Sequence, residues 1–153
     1  MRQTTALIMA AALLAACGNG SLGPQHESLK LEASIGRSTI ALGDTTSIVF
    51  RLRNLSSDSI ALSFSSSCQV LPYITTRGDQ VVHPSGGEWG CYQVVTYLVL
   101  GPGAEQVTSV LVRGGAQATY PGVPLLPGEY RAYARLAHPD FPLRAATIDF
   151  RVD

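Results

Sequence analysis

From residue 29 to the C-terminus, apolar side chains recur every second residue, and turn-forming residues interrupt them at short intervals. Leu29, Leu31, Ala33 and Ile35 alternate with Lys30, Glu32 and Ser34. Ile48, Phe50 and Leu52 alternate with Arg51 and Arg53. Ile60, Leu62 and Phe64 alternate with Ala61, Ser63 and Ser65. Tyr130, Ala132, Ala134 and Leu136 alternate with Arg131, Tyr133 and Arg135, and Ala146, Ile148, Phe150 and Val152 repeat the pattern at the end. A period of two puts one face of a strand on a core and the other in water. No stretch after residue 28 carries a helical stripe. Many short strands separated by turn signals predict an all-β, immunoglobulin-like antiparallel sandwich of about seven to nine strands.

The turns have their own chemistry. Gly43-Asp44, Ser56-Ser57-Asp58-Ser59 and Gly101-Pro102-Gly103 each end a run, and Arg77-Gly78-Asp79 suits a tight hairpin between residues 70–76 and 80–83. That tripeptide also spells an adhesion motif, and the hairpin is the stronger reading. Residues 114–127 are rich in Gly and Pro and are expected to form a long loop. Leu126-Pro127-Gly128-Glu129-Tyr130 places a tyrosine at the start of a late strand, where a tyrosine corner would bond its hydroxyl back to nearby backbone.

The N-terminus is of another kind. Arg2 is the only charge before Glu27, and residues 6–16 are unbroken apolar. As a helix, that run would reach about 16 Å, against a hydrocarbon core of about 30 Å. It therefore reads as the core of a secretion signal over residues 1–16. Leu14-Ala15-Ala16-Cys17 resembles the bacterial lipobox, which makes Cys17 the lipid-bearing first residue of the mature chain. In a host with two membranes, the resemblance and the Gly18 that follows imply the outer one. Residues 17–28 read as a flexible tether. About 125 residues remain, enough for one domain with a core of its own.

The 153-residue chain carries 11 Lys and Arg against 11 Asp and Glu, and no stretch gathers the basic ones. Nucleic acid is therefore not an expected partner. With Cys17 acylated, Cys68 and Cys91 are an even pair in an oxidising compartment, and a disulfide is expected. The competing reading, a metal pair with His83, has no CxxC or HxxxH spacing behind it. No metal or other cofactor is expected. His26, His83 and His138 lie in the tether or in turns, no GxSxG elbow is present, and no catalytic residue is assigned.

Two surfaces are candidates for a partner. Trp89 sits among glycines beside Cys91, either capping one end of the core or standing out as an aromatic anchor. In residues 114–127, Pro121, Pro124 and Pro127 stiffen the chain, with Tyr120 and Leu125 available to dock.

Several of these segments together resemble a known family. Phe50-Arg51-Leu52-Arg53-Asn54-Leu55-Ser56, Ile60-Ala61-Leu62-Ser63-Phe64, Arg77-Gly78-Asp79-Gln80-Val81-Val82, Leu98-Val99-Leu100-Gly101-Pro102-Gly103 and Leu126-Pro127-Gly128-Glu129-Tyr130 are similar, in order and spacing, to the BsuPI-type intracellular proteinase inhibitor domain. The resemblance spans residues 29–152. It implies an immunoglobulin-like sandwich and a role in binding proteases. The matched motifs are framework positions, so no reactive site is carried over with them. The expectation is a non-catalytic envelope lipoprotein that binds a protein partner, a protease by resemblance. The alternative is a structural or assembly lipoprotein without inhibitory activity.

Overall fold

The computed structural model describes residues 28–116 and 122–153. Cys17, the expected signal, the expected tether up to residue 27, and Tyr120 and Pro121 lie outside the described residues. Eleven strands are present, with no helix among the described residues. In chain order they are β1 Leu29–Ile35, β2 Thr39–Ile40, β3 Thr45–Asn54, β4 Ile60–Phe64, β5 Val70–Thr76, β6 Val81–His83, β7 Thr96–Leu100, β8 Glu105–Gly114, β9 Val123–Leu125, β10 Gly128–Leu136 and β11 Ile148–Val152.

The strands build a sandwich. One sheet runs β1-β3-β8-β9, the other β2-β11-β10-β5-β6, and β4 pairs with β7 as a two-stranded ribbon. The alternation explains the packing. Leu29, Leu31, Ile48, Phe50, Leu52, Val110 and Val112 of the first sheet are buried. So are Ile40, Ile74, Tyr130, Ala132, Ala134, Leu136, Phe150 and Val152 of the second. Leu62, Phe64 and Leu100 bring the inner face of the ribbon into the same core. The tyrosine corner is formed: the Tyr130 hydroxyl donates to the Leu126 carbonyl at 2.7 Å.

Three expectations are corrected. The pairing is mixed, because β2 lies parallel to β11 and β9 parallel to β8. Residues 114–127 are not one long loop, because Val123, Pro124 and Leu125 pair with Val112, Arg113 and Gly114. A proline is tolerated there because β9 is an edge strand, where one side of the backbone has no ladder to complete. At the end of the chain Ala145, not Ala146, is buried. Its amide donates to the Ala134 carbonyl before β11 begins, so the alternation of β11 does not extend back to it.

A corner residue sets the direction of the ribbon. The β3–β8 ladder ends at Arg53↔Glu105, and the β4–β7 ladder starts at Ile60↔Leu100. Between them Asn54 is fully buried. Its Nδ2 donates to the carbonyls of Asp58, Leu100 and Gly101, and its Oδ1 accepts from the Ser56 amide and hydroxyl. Its backbone amide donates to Ala104, and its carbonyl accepts from Gly103. Both turns are thus tied to one side chain.

Candidate binding surfaces

The ribbon is built from charge-free parts of the chain. No charged side chain occurs between Asp58 and Arg77, or between Glu88 and Glu105. The register places Ala61 opposite Val99 and Ser63 opposite Tyr97 on the outer face, with Leu62 opposite Leu98 on the inner one. The outer face is apolar and open to solvent: Tyr97 is 73% exposed, Val99 66% and Tyr92, just before β7, 81%. Val94 and Val95 are exposed beside them. Being two strands wide, the ribbon leaves the far edge of each strand without a ladder among the described residues. Exposed edges are commonly guarded by lysine, proline or a bulge, and β4 and β7 contain neither lysine nor proline.

The tip of the ribbon is fastened. Cys68 and Cys91 form the expected disulfide, with Cα atoms 5.6 Å apart. The Ser67 amide donates to the Tyr92 carbonyl, and the Tyr92 amide to the Ser67 hydroxyl, both at 2.9 Å. The Thr96 hydroxyl donates to the Ser66 carbonyl at 2.8 Å. These bonds hold the outer face in place.

Trp89 answers to neither expectation. It is half-buried, edge-on to the His83 ring of β6 with centroids 5.1 Å apart, and its Nε1 is buried without an acceptor among the described residues. It covers the end of β6, apart from the main core cluster. The burial pushes the His83 imidazole below its ordinary value, because a charged ring there would lose hydration. His138 lies between Phe64 and Phe141, and its Nδ1 accepts from the Asp140 amide at 3.3 Å. Among the described residues, both histidine rings meet aromatic rings, and the bond of His138 is to backbone.

The second expected surface is reduced. Leu125 is 2% exposed and part of the core, so it cannot dock; the exposed apolar side chain of that segment is Leu126. Pro124 is exposed. Alternation across β9 explains both, since Leu125 turns inward between two outward neighbours. Among the described residues, no group of three His, Cys, Asp or Glu side chains is gathered as metal ligands. Sequence reading missed the outer face of β4–β7. The charge-free stretches flanking the two cysteines were the signal that could have found it.

No family model and no curated protein matches the chain. Solved structures with a similar course do exist. The CARDB domain of a Pyrococcus furiosus protein, crystallised in complex with di-metal ions, is 18% identical, with a TM-score of 0.46 over 83% of this chain and 90% of that domain. The alkylpurine DNA glycosylase AlkC of Pseudomonas fluorescens is 18% identical, with a TM-score of 0.46 over 82% of this chain and 30% of that one. A β-glucosidase from Listeria innocua is 13% identical, with a TM-score of 0.42 over 81% of this chain and 16% of that one. The chain thus spans under a third of the glycosylase and a smaller share of the glucosidase. At these identities the likeness concerns the β-sandwich alone, and nothing of what those proteins bind or catalyse is carried over.

Proposed function

We propose that this chain is a lipid-anchored, non-catalytic module of the bacterial envelope that holds a protein partner on the outer face of the β4–β7 ribbon. The observation that carries the reading is the uncharged, disulfide-fastened face of Tyr92, Val94, Val95, Tyr97 and Val99. A face with no charge discriminates against charged surfaces and suits an extended, uncharged segment of a protein. Such a segment can add main-chain hydrogen bonds along a free edge while its side chains meet Tyr97 and Val99. The resemblance to the BsuPI-type domain makes a protease the partner class to test. The lipobox resemblance at Cys17 supplies the anchor, and two or more acyl chains hold a protein firmly on a membrane.

The test is a panel of serine and metalloproteases titrated with the purified protein, reading inhibition and complex formation by size-exclusion chromatography. A stoichiometric complex is expected with at least one protease. Tyr97→Ser combined with Val99→Ser should weaken it by about tenfold or more while leaving thermal unfolding in place. No complex with any protease removes the protease partner. A complex that the double variant leaves unchanged removes the ribbon as the surface. A stoichiometric envelope partner without protease activity turns the module towards assembly.

A further inference from the structure

The outer face of the five-stranded sheet, on the other side of the sandwich from the first sheet, carries a groove of about 720 Å³. Tyr133, Arg144, Arg131, Asp149, Arg151 and Thr147 are among its lining residues. Arg77, Arg131, Arg144 and Arg151 line it, Arg135 lies beyond the lining on β10, and these guanidinium groups are of two kinds. Arg77 pairs with Glu129, Arg131 with Asp79 at 3.1 Å and Asp149 at 3.5 Å, and Arg151 with Asp153 at 3.0 Å. Arg135 and Arg144 enter no ion pair among the described residues.

Both unpaired arginines lie by aromatic rings, Arg144 closely and Arg135 at the outer reach of such a contact. Tyr73 and Tyr133 face each other across β5 and β10, with centroids 5.2 Å apart and planes 16° from parallel. The Arg144 guanidinium carbon lies 3.9 Å from the Tyr133 ring centre. That of Arg135, two residues along the same face of β10, lies 5.9 Å from both ring centres. The segment carrying Arg144 is laid against β10 by a backbone bridge to Arg135, by Leu136 N–H to Leu143 at 3.0 Å, and by Ala145 N–H to Ala134 at 2.9 Å. A guanidinium lying on a ring keeps its in-plane N–H donors free for an oxyanion. Two cations on one tyrosine pair, each without a carboxylate, form a place for negative charge.

We infer that the Arg135–Tyr133–Arg144 cluster and the adjoining groove bind an acidic glycan, its carboxylate or phosphate on the two arginines and its hydroxyls along the groove. The rest of the groove decides between a glycan and an anionic bilayer. Asp79, Glu129 and Asp149 are paired with Arg131 and Arg77, so they offset those cations and leave little net charge along the groove to draw a bilayer, while their remaining lone pairs accept hydrogen bonds from sugar hydroxyls. Ser38, Thr39 and Thr147 add neutral donors and acceptors to the same lining. The site is separate from the ribbon, so it stands or falls without the protease reading.

Isothermal titration calorimetry of the full chain in detergent tests this, with a polygalacturonate oligosaccharide, a glycerol-phosphate polymer with sugar substituents, a neutral maltooligosaccharide and inorganic phosphate as probes. At least one acidic polymer should bind, more weakly as salt is raised, with the neutral oligosaccharide silent. Arg135→Gln and Arg144→Gln should each weaken that binding by about tenfold, the effect of losing one charge-assisted contact, with thermal unfolding unchanged. The inference is overturned if neither acidic polymer binds, if the neutral one binds equally, or if inorganic phosphate binds as tightly as the polymers. Undiminished binding in the doubly substituted protein overturns it as well.

Discussion

At the scale of single residues, the side chain that most controls the shape is a polar one. Asn54 is the last residue of β3, and a strand-ending asparagine is commonplace in sequence. Its significance appears only when three carbonyls from two turns converge on its Nδ2. Replacing it with alanine leaves those carbonyls and the Ser56 amide without their partner in a buried place. Asn54→Ala should therefore lower stability by about 3 kcal/mol, read as a shift in the denaturant midpoint. Asn54→Asp should not rescue it, since a carboxylate cannot donate to the carbonyls of Leu100 and Gly101. His83 gives a residue-scale prediction in pH. Its folded value lies below the ordinary 6.5, so in the interval between the two the unfolded chain takes up a proton that the folded chain refuses. The neutral ring's contribution is complete above 6.5 and is lost as pH falls through the folded value. Stability measured by denaturant should fall with pH across that window, and His83→Gln should flatten that part of the profile.

At the scale of elements, what was legible in the sequence follows from how local each signal is. β1, β3, β4 and β10 have clean alternation, and they stand where the pattern of apolar residues put them. The hairpin at Arg77-Gly78-Asp79 is legible because the turn is local, and Asp79 takes the left-handed conformation that aspartate tolerates, with φ at 64°. β9 was not legible. Its three residues pair in parallel with a strand eleven positions earlier, a long-range fact that a Pro-rich segment does not announce. The phase of Ala146 failed for a related reason, since residues before β11 answer to β10 rather than to the alternation of β11. The cysteine pair was legible by arithmetic and by the expectation of export. Its role as the clamp on a ribbon was not, because that depends on β4 and β7 meeting. A Cys68→Ala, Cys91→Ala protein tests the clamp. Closing a loop with a sequence separation of 23 is worth roughly 3 kcal/mol in the chain-entropy model. Beyond that global loss, hydrogen exchange at the Ser67 and Tyr92 amides should accelerate more than at β3 and β10, because the ribbon tip opens first.

At the scale of the whole molecule, the candidate surfaces come from elements far apart in the chain. The groove draws on β2, β5, β10, β11 and the segment before β11, and nothing in any one of them marks Arg135 and Arg144 as unpaired. That property emerges only after Arg77, Arg131 and Arg151 have found their carboxylates. One small residue helps to join the two sheets. Gly114 ends β8, bridges to Leu42 and pairs with Leu125 of β9. Its carbonyl accepts from Gly43 at 2.9 Å, and its amide donates to Asp44 at 3.0 Å. A Cβ at this position would meet the Ala41 carbonyl oxygen at 2.4 Å and the Val152 side chain at 3.2 Å. The first is backbone of the link between β2 and β3, and the second belongs to the β11 core, so neither can swing aside as a surface side chain would. Gly114→Ala must push the β2 link away from the first sheet, and overpacking of this kind costs about 2 kcal/mol. Thermal unfolding should drop accordingly, and exchange should quicken at the Arg151 and Asp153 amides, whose acceptors are Ser38 and Ile40. Gly43→Ala is the contrast. Gly43 has open space for a Cβ but a φ of 89°, so its penalty is backbone strain confined to the turn, and the amides of Arg151 and Asp153 should keep their protection. Equal loss of protection in both variants would show that the sheets are not joined through Gly114.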